Sequence, residues 1–203
     1  MPAPNTQTEG FGGHANAPIV DAVLASSSAP VAFPPHCWNG KLFIDGGVLA
    51  NSPSALALTA ALDAGLVGSR GVPLDRVFLL SIGTGITYTR YPPPGAPFPP
   101  PFGALGWMWP AARGRGSEAP AVPLVSAHER ASSEAADYQV RTLLGPRNYR
   151  RVQIDFGIDP VAMDDCAALV RIEAAVCAFR RSSTWEEAAK WVGEHFAPED
   201  RAV

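Results

Sequence analysis

Asp45 closes the short run Lys41-Leu42-Phe43-Ile44 and is followed at once by Gly46 and Gly47. A carboxylate at the end of an apolar strand is costly to bury without a partner. The end of a strand is also where open α/β sheets place their working groups. Two readings of Asp45 follow. It hydrogen-bonds its own turn, as aspartate often does, or it is the base of a catalytic pair whose nucleophile lies elsewhere. Gly46 and Gly47 let the backbone turn away without a side chain crowding that nucleophile.

Other residues with chemical potential are less organised. His14, His36, His128 and His195 are scattered without metal-ligand spacing. Cys37, Cys166 and Cys177 form no CxxC pair and are odd in number, which fits a reducing compartment and not a zinc site. The run Gly83-Thr84-Gly85 lacks the third glycine of a dinucleotide loop. Ser81 has Leu79 where the first glycine of a Gly-x-Ser-x-Gly elbow belongs, and that motif occurs nowhere in the chain. Ser81 therefore reads as structural. No metal or organic cofactor is implied.

The elements that must position Asp45 are legible from pattern. Asn16 and Pro18 suit the start of a helix carrying Ile19, Ala22 and Val23, which the serines at 26–28 and Pro30 bring to an end. Residues 41–45 read as a strand. Ser52 and Pro53 suit the start of a helix closed near Gly65, apolar almost all round and so expected to be buried on more than one side. Residues 76–82 form a continuous apolar run, the mark of a buried parallel strand. A helix over about 122–144 stopped by Gly145 and Pro146, a strand over 149–155, and two amphipathic helices capped by Asp164 or Asp165 and by Thr184 complete the reading. Strands alternating with helices imply α/β with a largely parallel sheet. Three strands are fewer than the five or so of a typical sheet.

Composition excludes several classes. Net charge is −3 over 203 residues, with no basic footprint for nucleic acid. Arg113 and Arg115 read as a solvated loop. No apolar stretch is long enough for a membrane span, and residues 1–18 lack the basic and apolar regions of a signal peptide. A cytoplasmic or membrane-peripheral location is therefore expected. Residues 1–17 read as a tail or truncated end, and 18–203 as a domain with a proline-rich excursion at about 90–120. Seven prolines between Pro92 and Pro101 preclude regular structure there. That tract reads as a spacer before it reads as a docking motif. Trp107, Met108 and Trp109 read first as folding back onto the core, and second as a lipid-facing lip.

Three segments, 21–35 (DAVLASSSAPVAFPP), 43–58 (FIDGGVLANSPSALAL) and 79–85 (LLSIGTG), occur in an order and at spacings that resemble the C-terminal half of a patatin-like phospholipase domain. The resemblance implies a three-layer α/β/α fold with a mostly parallel sheet, its N-terminal strands missing here. It implies a lipid acyl hydrolase working through a serine–aspartate dyad without histidine, with a lipid ester as substrate. The dyad aspartate of that family falls on Asp45, in the motif Asp45-Gly46-Gly47. The nucleophile elbow and the glycine-rich oxyanion loop of such proteins lie upstream of that motif, and neither is present here. The glycines at 10–13 come too close before Asp45 to leave room for both. Ser26, Ser27 and Ser28 match a wall of the site rather than its nucleophile. The chain thus reads as the part of the domain that holds the base without its serine, prone to self-association or to pairing with the missing half. The alternative is an inactive fragment or pseudoenzyme that binds lipid or a protein partner.

Overall fold

Asn39 and Gly40 both have positive φ, 49° and 72°. Two successive left-handed residues make a two-residue hairpin turn whose twist suits the strands on either side. They join β1 (His36–Trp38) to β2 (Lys41–Phe43) as an antiparallel pair, with His36 opposite Phe43 and Trp38 opposite Lys41. The segment before Asp45 is thus one arm of a local hairpin, not a member of the parallel sheet. It is also half-buried rather than buried. A computed structural model of the protein describes residues 16–30, 32–87, 107–108, 122–157 and 165–196. The expected tail through residue 15, the proline tract, Trp109, Arg113 and Arg115 lie outside the described residues.

Helix α1 (Ile19–Ser26) precedes the hairpin, and Pro18 rather than Asn16 occupies its cap position. Asn16 lies two residues outside, beyond reach of the first free N–H groups. At the other end Ser27 and Ser28 hydroxyls donate to Val23 O and Leu24 O, each at 2.6 Å, as a serine run that ends a helix should. After the hairpin come α2 (Gly47–Ala50) and α3 (Ser54–Asp63). Ser52 does not cap α3; its hydroxyl is drawn instead to Ser54 and Arg151. Contrary to the sequence pattern, α3 is buried on one side, at Ser54 and Leu58.

The parallel sheet consists of β3 (Leu79–Ile82) and β4 (Tyr149–Val152), paired from Leu79 with Tyr149 to Ile82 with Val152. Between them runs α4 (Pro123–Asn148), broken at Gly145, where φ is 76°. Ala136, Val140 and Leu144 recur at every fourth position of α4 and form its buried stripe. Val140 is fully buried; with Leu58, Leu144 and Tyr149 it makes the core, against which Leu74, Val77 and Leu79 pack. Truncating such a residue, Leu58 to alanine for instance, costs about 2–5 kcal/mol. Asn148 ties the end of α4 to Asp75 O at 2.6 Å.

Two C-terminal helices follow, α5 (Leu169–Phe179) and α6 (Ser183–Phe196). Asp165 caps the entry to α5 by accepting from Ala167 and Ala168 N–H. The entry to α6 is capped by Ser182, whose Oγ accepts from Trp185 N–H at 3.3 Å, so Thr184 is already inside the helix. Trp191 of α6 donates to Arg147 O at 2.8 Å and meets Phe78 edge-on, with ring centres 6.3 Å apart. The fold is mixed helix and strand with a small parallel sheet. No helix among the described residues is long and apolar enough to cross a membrane.

Candidate functional site

Asp45 stands where the hairpin hands the chain to α2, and two contacts fix it there. Its N–H donates to Ser28 O at 3.0 Å, which ties it to the end of α1. Its Oδ1 accepts from Gly47 N–H at 2.6 Å. Helix α2 is in turn held to α4, because His128 Nε2 donates to Val48 O at 2.5 Å and Asn51 Nδ2 to Ser133 Oγ at 3.4 Å. Asp45 therefore does bond its own turn, and its second carboxylate oxygen is left over. A turn bond and a role as base are compatible.

The two glycines behind Asp45 differ. A methyl group at 47 would lie 2.9 Å from Asp45 Oδ1, so a side chain there pushes directly on the carboxylate. A methyl group at 46 would meet nothing within 4 Å, and Gly46 has ordinary helical φ and ψ, −61° and −23°. A side chain at 47 would displace the Asp45 carboxylate from this position. Gly46 leaves open space.

The chain neighbours of Asp45, Ile44 and Gly46, border an apolar hollow of about 260 Å³ together with Trp38 and Phe43 of the hairpin and Ala22 and Ala25 of α1. The hollow also touches Asp21, whose Oδ1 accepts from His36 Nε2 at 2.9 Å and locks α1 to β1. Sequence spacing gave no hint of this pair, since its members lie fifteen residues apart on different elements. The remaining described histidines play other parts: His128 holds α2, and His195 stacks on Phe78 with ring centres 4.1 Å apart. No cluster of potential metal ligands exists among the described residues. Cys37, Cys166 and Cys177 are exposed free thiols.

Three serine hydroxyls gather away from Asp45, at the start of α3 and in β3. Ser54 Oγ donates to Ser81 Oγ at 2.9 Å, Ser52 and Ser54 lie 3.2 Å apart, and Arg151 Nη1 donates to Ser81 at 2.8 Å and to Ser52 at 3.2 Å. All three serines are buried. A nucleophilic serine needs a neighbour that takes its proton. Arg151 is a permanent donor and cannot be that neighbour. Ser81 is therefore a structural hydroxyl that accepts from both sides. Tyr149 lies buried beside this cluster, and its hydroxyl meets no partner in hydrogen-bond geometry. Burial first, and next the Asp137 carboxylate, raise its ionisation above the ordinary phenol value. Among the described residues no serine hydroxyl bonds to Asp45.

Residues 3–58, which include Asp45, Gly46 and Gly47, match the family model of patatin-like phospholipases. The chain is 27% identical over 177 residues to Patatin-like protein 2 of Arabidopsis thaliana, covering 78% of this chain and 41% of that protein. It is 27% identical over 209 residues to Patatin-like protein 1 of Oryza sativa, covering 87% of this chain and 47% of that one. Over 77 residues it is 36% identical to a cGAMP-activated phospholipase of Escherichia coli, covering 36% of this chain and 21% of that protein. The chain thus spans less than half the length of each of these relatives. No solved structure matches it. Family match and relatives point the same way: this chain is similar to patatin-like phospholipases.

Proposed function

We propose that these residues are the part of a patatin-like lipid acyl hydrolase that carries the general base, Asp45, while the nucleophilic serine belongs to a part of the domain outside these 203 residues. In that completed domain β3 and β4 belong to a larger, mostly parallel sheet between helical layers, whose N-terminal strands this chain lacks. The observation that carries the reading is the setting of Asp45. One carboxylate oxygen is fixed by Gly47 N–H, open space lies over Gly46, and an apolar hollow is bordered by the residues on either side of Asp45, Ile44 and Gly46.

The reaction is hydrolysis of a lipid carboxylic ester. The serine Oγ attacks the acyl carbonyl as its proton passes to the free oxygen of Asp45, and the negative charge collects on the carbonyl oxygen. Collapse expels the alcohol, which takes the proton, and leaves an acyl-serine. Water then attacks that ester with Asp45 again accepting the proton, and collapse expels the serine Oγ, which takes that proton back as the fatty acid leaves. A carboxylate is a weak base for a hydroxyl, so the step depends on positioning and on donors for the oxyanion. Those donors come with the serine. The hollow between α1 and the hairpin suits the acyl chain, and apolar residues around it suit contact with a lipid surface.

A second reading is favoured by one observation. The sequence holds no Gly-x-Ser-x-Gly, and the buried serines of the structure have no base. On that reading the chain binds lipid or a protein partner without turnover. A fluorophosphonate probe on the purified chain, together with p-nitrophenyl ester hydrolysis, tests both. The chain alone is expected to take no label and to hydrolyse no faster than its Asp45→Asn variant. Labelling of a serine together with turnover lost in Asp45→Asn contradicts the placement of the nucleophile outside these 203 residues.

A further inference from the structure

Arg151 is a charge without a counter-charge. Among the described residues its hydrogen bonds all go to neutral groups: Nη1 donates to the Ser81 and Ser52 hydroxyls, and Nη2 reaches Gln153 Oε1 at 3.4 Å. A cavity of about 630 Å³ is lined by this side chain. Ser81 and Arg151 are partners in the β3–β4 ladder, so they share one face of the sheet with Leu79 and Tyr149. On that face α3 and α4 pack, through Leu58 and Val140. The cavity runs along it and past the carboxyl ends of both strands, where Thr84, Ile86 and Gln153 line it. Parallel sheets commonly hold their ligands at that end. Two acids of α4 that also line the cavity are engaged elsewhere, Glu134 with Arg130 at 2.7 Å and Asp137 with Arg141 at 2.9 Å. A half-buried guanidinium keeps its charge and is stabilised by an anion set beside it.

We propose that this cavity is a fatty-acid site, in which Arg151 Nη2 binds the carboxylate and the hydrocarbon chain lies along Ala57, Leu79, Ile82 and Ile86. The long contact from Nη2 to Gln153 is weak, and a carboxylate is the stronger acceptor for a guanidinium. The walls choose the rest of the ligand. Those four apolar residues line the cavity beside the charge, and a pocket of about 300–1,000 Å³ with apolar walls and few polar groups suits one small molecule. Glu129, Glu134 and Asp137 line it too, and their field opposes a dianion such as phosphate. One carboxylate matches one guanidinium. A fatty acid is the product of the hydrolysis proposed above, but only the ligand's source rests on that reading, since Asp45 does not line this cavity.

Equilibrium dialysis of dodecanoate against the purified chain tests the site, with NMR of the Gly83 and Gly85 amides to locate it. Dodecanoate should bind and shift both amides. Dodecanol, acetate and inorganic phosphate should each compete about tenfold more weakly or worse, because each lacks the single charge or the chain. Arg151→Gln removes the charge and should weaken dodecanoate about tenfold or more with the melting midpoint kept. Ala25→Leu, which fills the hollow beside the hairpin, and Asp45→Asn should both bind within about twofold, since neither residue lines this cavity. If Arg151→Gln fails to fold, the dodecanol comparison and the two amide shifts in the unmodified chain decide. The proposal is overturned if dodecanol or phosphate competes as well as dodecanoate, if folded Arg151→Gln binds as the parent does, or if Ala25→Leu abolishes binding. Hydrolysis through Asp45 in a completed protein that binds no dodecanoate at Arg151 would sink this site and spare the hydrolase. Binding that depends on Arg151 without hydrolysis that depends on Asp45 would do the reverse.

Discussion

Asp45 and Gly47 act as one unit, since the glycine N–H holds the carboxylate and its missing side chain makes room for it. Polar groups elsewhere are less well served, and Tyr149 is the clearest case. Its hydroxyl is buried and unpaired, and such a group costs about 1–3 kcal/mol of desolvation. Tyr149→Phe should therefore leave stability unchanged at pH 7 or raise it by about 1 kcal/mol. The phenol is pushed up in the folded protein, so the neutral form is the one folding favours. Its contribution is complete below the unfolded value of about 10 and is lost as pH rises through the higher folded value. Denaturant midpoints measured from pH 9 upward should fall less steeply for Tyr149→Phe; parallel curves would mean that the phenol does not titrate in this way. Asp45 and its glycines stood out in the sequence because an acid behind an apolar run is a local signal. The His36–Asp21 pair and the Ser52–Ser54–Ser81–Arg151 cluster did not, because each depends on elements distant in sequence.

At the scale of elements the hairpin decides where Asp45 sits. Gly40 holds φ at 72° with nothing within 4 Å of a side chain there, so a substitution meets conformational cost and no clash. Gly40→Ala should cost about 1–2 kcal/mol, read as a lower denaturant midpoint. A neutral outcome would remove the left-handed turn from the account. Period and length made the helices of 123–148, 169–179 and 183–196 legible, and the two strands beginning near Leu79 and at Tyr149, with the parallel character of their sheet, as well. The hairpin was missed although Asn39-Gly40, flanked by apolar residues, is the strongest short-range signal for one. Cap positions were read one or two residues wrong at Asn16, Ser52 and Thr184. There a competing bond, or a proline already at the cap, outweighed the local preference.

The molecule as a whole leaves unusual apolar surface uncovered. Helix α1 buries none of its residues, and Ile19 at 82% and Leu49 at 77% exposure lie on either side of Asp45 in sequence. With the open edge of β3, such surface favours association. Light scattering on the purified chain should show self-association or poor solubility, relieved by a polypeptide that supplies the serine elbow; a stable monomer with a cooperative melt, indifferent to that partner, would mean that these residues form a complete domain. The central claim is nevertheless about one carboxylate, and turnover of the completed protein with and without Asp45→Asn tests it most directly. Asparagine keeps the Gly47 N–H bond but cannot take the serine proton, so kcat should fall by about 10²–10⁴ while the melting midpoint holds. Turnover within twofold of the parent would contradict the account and leave Asp45 a turn residue.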